Sequence, residues 1–123
     1  FVVVGTLEPR KNVQFILDAF DALLKAHPGE NVKLWFVGKV GWKIGNFYSS
    51  LREKTYFGTK LFHLSDVSDG DLEYIYDHAS ALIQASVAEG FGLPIVEALQ
   101  KKLPVLASDI PVFRELGQSC NSI

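Results

Sequence analysis

Two glutamates flank a glycine-rich turn in the last third of the chain. Glu89 directly precedes Gly90, Gly92 follows, and Glu97 stands eight positions beyond Glu89, with seven residues between them. Glycine lets a ligand approach the main chain, and the free amides at the start of a following helix carry partial positive charge. The stretch predicts an anion site built from backbone N–H groups. The alternative is a tight turn whose glycines only relieve steric crowding.

A basic pair follows the first apolar run. Arg10 and Lys11 lie within the segment 5–12, and we expect them at the start of a helix, where the helix dipole disfavours cations. Such a placement suggests a role in binding phosphate. Arginine can donate two parallel hydrogen bonds to phosphate oxygens, and lysine adds a point charge. The alternative is that both side chains simply point into water.

The two carboxylates suit sugars. A carboxylate is a strong acceptor for a pair of hydroxyl groups, and Glu89 and Glu97 flank the predicted anion site. A diphosphate with a ribose on one side and a hexose on the other would meet both. The alternatives are a solvated loop residue for Glu89 and, for Glu97, an acid favoured by the dipole near a helix start.

Composition sets the outer limits of the prediction. The chain has 123 residues, 48% of them hydrophobic and 21% charged, which is typical of one globular domain. A net charge of −2 gives no general attraction to nucleic acid or anionic lipid. The single cysteine permits no internal disulfide, and the three histidines form no metal-ligand cluster with it. No long apolar run or signal peptide is visible, and we expect a cytoplasmic protein. Methionine is absent, so we expect the chain to be a piece of a longer protein.

Apolar runs and helical periodicities alternate along the chain. We predict strands at 1–4, 32–37, 61–64, 81–83 and 104–107, and helices at 13–24, 42–57, 68–79, 94–101 and 112–116. Ser68 and Asp71 have the spacing of a capping box. The alternation predicts an α/β fold: a Rossmann-like, doubly wound parallel sheet of five or six strands in the order 3-2-1-4-5, with helices on both faces. The segments 5–12 and 85–97 would then face each other across one crevice.

Four segments together resemble a known family. They read GTLEPRKN at 5–12, DVSDGDLEYIYDHASALIQAS at 66–86, GFGLPIV between Glu89 and Glu97, and LPVLASDIPVFREL at 103–116. This pattern is similar to the C-terminal, donor-binding half of GT-B glycosyltransferases, in the large retaining group 1 or GT4-like family with two glutamates separated by seven residues. The resemblance covers nearly the whole chain, although Ser65 and Lys102 stand where the family usually has glycine. Residues 1–123 would be the nucleotide-sugar-binding domain, without the N-terminal acceptor domain.

The resemblance implies a role for each site residue. Arg10 and Lys11 would stabilise the departing diphosphate and, with Glu89 on the transferred sugar, form the catalytic set. Glu97 would bind the ribose hydroxyls. The other implied donor-binding positions are the crevice floor and nucleobase neighbours Gly5, Thr6 and Leu64, and the turn Gly90, Phe91, Gly92 and Leu93.

The resemblance also implies an activity. The full-length protein would transfer a hexose from a nucleotide-diphospho-sugar to a hydroxyl acceptor with retention, in bacterial polysaccharide or glycolipid assembly, from GDP-mannose or a UDP-hexose. It would need no metal and no cofactor besides this donor. Its partners would be the donor, the N-terminal domain and a sugar or glycolipid acceptor, with no nucleic acid and with peripheral membrane association through the N-terminal domain. The isolated chain is expected to be inactive.

Two other functions stay open at this point. The chain could be a non-catalytic nucleotide-binding or interaction domain on the same scaffold, because fold does not fix function. It could also be a phospho-acceptor receiver domain, which needs acids at the ends of the first and third strands. Asp66 lies near the third strand, but Gly5 and Thr6 follow the first.

Overall fold

A single parallel sheet organises the chain, of which the computed structural model describes residues 1–120. Its five strands are β1 (Val2–Val4), β2 (Leu34–Val37), β3 (Leu61–Leu64), β4 (Leu82–Gln84) and β5 (Val105–Ala107). They lie in the order β3-β2-β1-β4-β5, and every neighbouring pair is parallel. The predicted order is therefore confirmed, and β1 and β4 are neighbours at the centre.

Helices cover both faces of this sheet. They are α1 (Val13–Ala26), α2 (Gly45–Glu53), α3 (Asp69–His78), α4 (Leu93–Gln100) and α5 (Pro111–Cys120). The side chains of β1 alternate between two apolar clusters: Val3 packs with α1 and α2, whereas Val2 and Val4 pack with α3, α4 and α5. In the part of the chain that the structure describes, we find no helix with the length and hydropathy needed to cross a membrane.

The capping box predicted at the start of α3 is confirmed. The Asp71 N–H donates to Ser68 Oγ at 3.1 Å, and the Ser68 N–H donates to Asp71 Oδ2 at 3.0 Å. Two orphan amides of the first turn are thereby satisfied. This start fixes the helix whose inner face carries Leu72 and Tyr76 against the sheet.

Two helices differ in length from the predictions. The helix expected over 42–57 covers only Gly45–Glu53, because Lys43 before it has a left-handed φ of 56° and Lys54 after it is extended. A residue with those angles cannot continue a right-handed helix. The short helix expected over 112–116 instead covers Pro111–Cys120, and Pro111 suits the first turn of a helix.

The basic pair does not lie at the start of α1, so that prediction is wrong. Arg10 and Lys11 belong to a separate turn of 3-10 helix, Pro9–Lys11, which ends at Asn12 with φ 56° and ψ 38°. Asparagine tolerates this left-handed conformation, and α1 begins only at Val13. The two cations therefore lie at the C-terminal end of a turn, where the dipole does not oppose them.

The ends of β1 and β2 approach each other closely at two glycines. The Gly5 N–H donates to the Val37 carbonyl at 2.9 Å, and the Gly38 N–H donates to the Leu64 carbonyl at 2.8 Å. Gly38 has a φ of +148°, and a Cβ atom there would lie 2.1 Å from the Gly5 carbonyl oxygen. No side chain fits at Gly38 unless the strand ends separate.

Replacing Gly38 should therefore damage the fold. We expect Gly38→Ala to lower the free energy of unfolding by about 3 kcal/mol, since it adds both backbone strain and a clash with main-chain atoms. Gly45→Ala is the matched control, because nothing lies within 4 Å of its added Cβ and its φ is not left-handed; it should leave stability unchanged or raise it by up to about 1 kcal/mol. Urea denaturation measures both, and equal effects would contradict the prediction.

Candidate functional site

The strand order brings two loops together at the carboxyl ends of β1 and β4. The Val87 N–H donates to the Arg10 carbonyl at 2.9 Å, and Arg10 Nη1 donates to the Ala88 carbonyl at 3.4 Å. Main chain of the second loop thus touches the basic turn of the first. The two segments predicted to face each other are in direct contact.

Glu89 is the centre of this contact. Its carboxylate accepts hydrogen bonds from Lys11 Nζ, from Arg10 Nη1 at 3.0 Å, from Ser86 Oγ at 2.8 Å and from Gln84 Nε2 at 3.3 Å. Only 7% of its side chain is exposed. The solvated-loop alternative for Glu89 is therefore wrong, because the carboxylate is a buried counterion of the basic pair.

Burial and hydrogen bonding act on the pKa of Glu89 in opposite directions. Burial alone would raise it, but hydrogen bonds from Lys11, Ser86 and Arg10 outweigh burial and hold the pKa below its ordinary value. The pKa of Arg10 is raised, first by its hydrogen bond to Glu89 and next by the one to Glu8, whose Oε2 lies 2.8 Å from Arg10 Nε. Both shifts favour the charged forms of Glu89 and Arg10 at neutral pH.

The sequence reasoning missed the polar groups beneath Glu89. Gln84 and Ser86 are 2% and 0% exposed, and Ser108 Oγ donates to the Ser86 carbonyl. Gln84 itself could have indicated these buried polar groups in the sequence, because it is a polar residue at the end of an otherwise apolar strand. A buried amide needs partners, and here they are Ser86 and Glu89.

Unpaired backbone amides line the turn beside Glu89. Within residues 1–120, no N–H group from 88 to 93 donates a hydrogen bond. The first turn of α4 offers less than predicted, because the Ile95 and Val96 N–H groups both donate to the Gly92 carbonyl and Pro94 has none. The candidate anion cradle therefore lies in the loop before α4 rather than in the helix start itself.

The two glycines of the turn differ. Gly92 has a φ of +87°, and a Cβ there would lie 3.0 Å from the Phe113 ring and 3.2 Å from Leu116, so the fold requires glycine. Gly90 is not left-handed and has nothing within 4 Å of an added Cβ. Only Gly92 therefore needs glycine for its backbone angles, whereas open space adjoins Gly90.

A cavity of about 680 Å³ opens at the carboxyl ends of β1, β2 and β3. Gly5 and Thr6, the predicted floor positions, line it together with Asp66 and Leu72. Leu64, the predicted nucleobase neighbour, does not line it; this part of the wall begins at the next residue, Ser65. The volume lies within the usual range of small-molecule pockets, about 300–1,000 Å³.

Glu97 lies beside this cavity. A smaller cavity of about 230 Å³ is lined by Glu97, Tyr76 and Leu72, and Leu72 also lines the large one. The Tyr76 hydroxyl donates to Glu97 Oε2 at 2.8 Å. The Phe91 and Leu93 side chains are exposed. The roles of their backbone amides in donor binding stay predictions.

Over positions 1–120, no three His, Cys, Asp or Glu side chains lie close enough together to hold a metal ion. Metal independence of the reaction stays a prediction.

The fold and site define a class of protein. A doubly wound sheet with bare amides and a basic turn at its switch point is the arrangement of α/β domains that bind phosphate-bearing ligands. The chain belongs to the family "Glycosyl transferases group 1", whose family model matches residues 1–119. Membership in this family excludes the receiver-domain alternative.

Curated relatives are longer enzymes. The serotype-specific mannosyltransferase WbdA of Escherichia coli is 47% identical over 118 residues, which are 96% of this chain and 14% of WbdA. The O-antigen chain mannosyltransferase B of Escherichia coli is 34% identical over 113 residues, covering 92% of this chain and 29% of the relative. The chain therefore spans less than a third of either relative.

Solved structures share the fold. The C-terminal domain of the group 1 glycosyl transferase LpcC from Francisella tularensis superposes with a TM-score of 0.76 at 22% identity, covering 94% of this chain and 60% of that one. Anabaena HepE, solved in complex with UDP-glucose, gives 0.74 at 25% identity, covering 94% and 32%. The Rossmann-like GT-B C-terminal domain is thereby confirmed as the fold.

The ion cluster makes stability depend on pH. Because the native pKa of Glu89 lies below its ordinary value of 4.5, its contribution is complete above that value and is lost as pH falls through the native pKa. Glu89→Gln should lower the free energy of unfolding at pH 7 by about 2 kcal/mol, since Lys11 loses its partner while only 11% exposed. Urea denaturation from pH 7 to 3 should then show a flatter profile for the variant. A variant profile as steep as wild type would contradict this reading.

Proposed function

We propose that this chain is the nucleotide-sugar-binding domain of a retaining hexosyltransferase that acts in bacterial polysaccharide assembly, with mannose as the transferred sugar. Two relatives named mannosyltransferases, one of them an O-antigen chain enzyme, support the sugar and the process. The acceptor-binding domain would lie outside this chain, in the remaining length that such relatives possess. One observation carries the proposal: Glu89 holds Arg10 and Lys11 beside a run of unpaired amides.

Hydrogen-bond donors can stabilise the departing nucleoside diphosphate. Arg10 uses Nε and Nη1 on Glu8, Glu89 and Ala88, so within the described chain its Nη2 group keeps both N–H donors for a phosphate oxygen. With 45% of its side chain exposed, Arg10 is accessible to a ligand. Fixed donors of this kind stabilise charge as it develops in a transition state.

The cluster itself carries no net charge. Arg10 and Lys11 contribute +2, and Glu8 and Glu89 contribute −2, which sums to zero. We infer that oriented N–H groups, rather than an excess of positive charge, attract the diphosphate. The acids hold the basic pair in place until the donor arrives.

The two glutamates have different capacity for sugar hydroxyls. Glu89 Oε1 accepts from Lys11, Ser86 and Gln84, so only Oε2, bonded to Arg10, has room for a hydroxyl of the transferred sugar. Glu97 has one donor among the described residues, Tyr76. Its remaining acceptor sites suit the two ribose hydroxyls, as the resemblance implies.

The test is donor turnover by the full-length protein with GDP-mannose and UDP-hexoses. Arg10→Ala and Lys11→Ala should each lower kcat/KM by roughly 10²- to 10³-fold, the range for losing one preorganised donor. Lys25→Ala is the control, since Lys25 is exposed at the far end of α1, and it should match wild type. Turnover within about threefold of wild type in both site variants would refute the assignment, given the effect expected of such donors.

The same assay tests the finer parts of the proposal. Activity should persist in EDTA, and proton NMR of the first product should show the anomeric configuration of the donor. Activity that requires added magnesium would refute metal independence, and an inverted product would refute retention.

Binding of nucleotide-sugar by the full-length protein without any transfer would favour the non-catalytic alternative. The isolated chain should bind donor weakly in calorimetry and transfer nothing.

A further inference from the structure

Tyr76 and Glu97 form a contact between two helices that the proposed reaction does not yet explain. Tyr76 belongs to α3 and Glu97 to α4, and the tyrosine hydroxyl donates to Glu97 Oε2 at 2.8 Å. Among the described residues this is the only hydrogen bond to the Glu97 side chain. Glu89, by contrast, has four different donors.

The tyrosine is a fixed donor. Its ring is 4% exposed and packs in the apolar cluster that contains Leu82 and Ile95. Burial, and next the hydrogen bond to Glu97, raise the pKa of Tyr76 well above its ordinary value, so the hydroxyl keeps its proton. A ring locked by packing presents that O–H in one direction.

Glu97 has another neighbour that could claim it. Lys101, the residue that caps the end of α4, lies four positions beyond Glu97, a spacing at which glutamate and lysine commonly pair. Lys101 instead approaches Asp77 at 3.1 Å and Glu73 at 3.7 Å, both on α3. Lys101 thus leaves Glu97 to Tyr76, and both residues line the small cavity together with Leu72, which also lines the large cavity.

We propose that Tyr76 is a positioning residue for nucleoside recognition: its hydroxyl occupies Oε2 of Glu97 and orients the carboxylate so that Oε1 is available to the ribose diol. This inference rests on the proposed function, in which Glu97 binds the ribose. Tyr76 itself touches no substrate.

The experiment compares nucleotides that have and lack the diol. Calorimetry on the full-length protein would use GDP and UDP, each beside its 2′,3′-dideoxy form. Tyr76→Phe should weaken binding of the ribonucleotide roughly 10- to 100-fold, as for the loss of a hydrogen bond to a charged group, and should change dideoxynucleotide binding less than about twofold. KM for the donor should rise while kcat changes by less than about threefold, because ground-state and transition-state binding are lost equally.

Two controls separate positioning from a structural effect. Tyr74→Phe is matched, since Tyr74 lies on the same helix with an exposed ring stacked on His78, and it should bind both nucleotides like wild type. In a Glu97→Ala background, Tyr76→Phe should have no further effect on ribonucleotide binding. The inference would be overturned if Tyr76→Phe weakened binding of the ribonucleotide and the dideoxynucleotide equally, or changed the binding of neither.

The outcomes also distinguish this inference from the function on which it rests. Wild-type protein that binds none of the four nucleotides would overturn the proposed function and the inference together. Wild-type protein that prefers the diol, combined with a Tyr76→Phe variant of unchanged preference, would overturn the inference alone.

Discussion

The buried carboxylate of Glu89 is the interaction on which the site depends. It joins two loops that are far apart in sequence, those that follow β1 and β4. It also neutralises the Lys11 amine, which is largely buried. A buried charge without a partner is costly, so neither residue is tolerable in this place alone. Ser86 and Gln84 support the carboxylate from below and leave the guanidinium of Arg10 on the solvent side. The ion pair between Lys11 and Glu89 thus holds the basic turn and the amide-lined turn in one arrangement before any ligand binds.

The sheet supplies the geometry that this ion pair needs. Because β1 and β4 are neighbours, the loops that follow them leave the same edge and meet without a long excursion. Glycines allow the approach where main chains crowd: Gly38 packs on the Gly5 carbonyl, and Gly92 packs on Phe113. The large cavity then lies next to this contact, over the ends of β1 to β3. On the proposed function, the phosphate site and a pocket for the rest of the nucleotide would share this edge of the sheet.

Much of this could be predicted from the sequence, because periodicity and turn residues report on local structure. Strand order, the cap at Ser68 and the facing loops follow from such patterns. Side-chain partners do not, since the contact between Lys11 and Glu89 depends on rotamers of residues 78 positions apart. The left-handed conformation of Asn12 was missed for a related reason. Asparagine occurs in many backbone conformations, and the surrounding structure determines which one it adopts. Lys102, at a position where the family usually has glycine, adopts a φ of 57°, which explains that preference.

The most direct test of the central claim is a crystal structure of the full-length protein bound to a nucleoside diphosphate. The diphosphate should lie against the 88–93 turn, with oxygens within hydrogen-bonding distance of Arg10 Nη2 and of at least two main-chain N–H groups, while Lys11 stays on Glu89. A diphosphate bound away from this turn, with Arg10 still engaged only by Glu8 and Glu89, would contradict the claim that the ion pair and the bare amides together form the phosphate site.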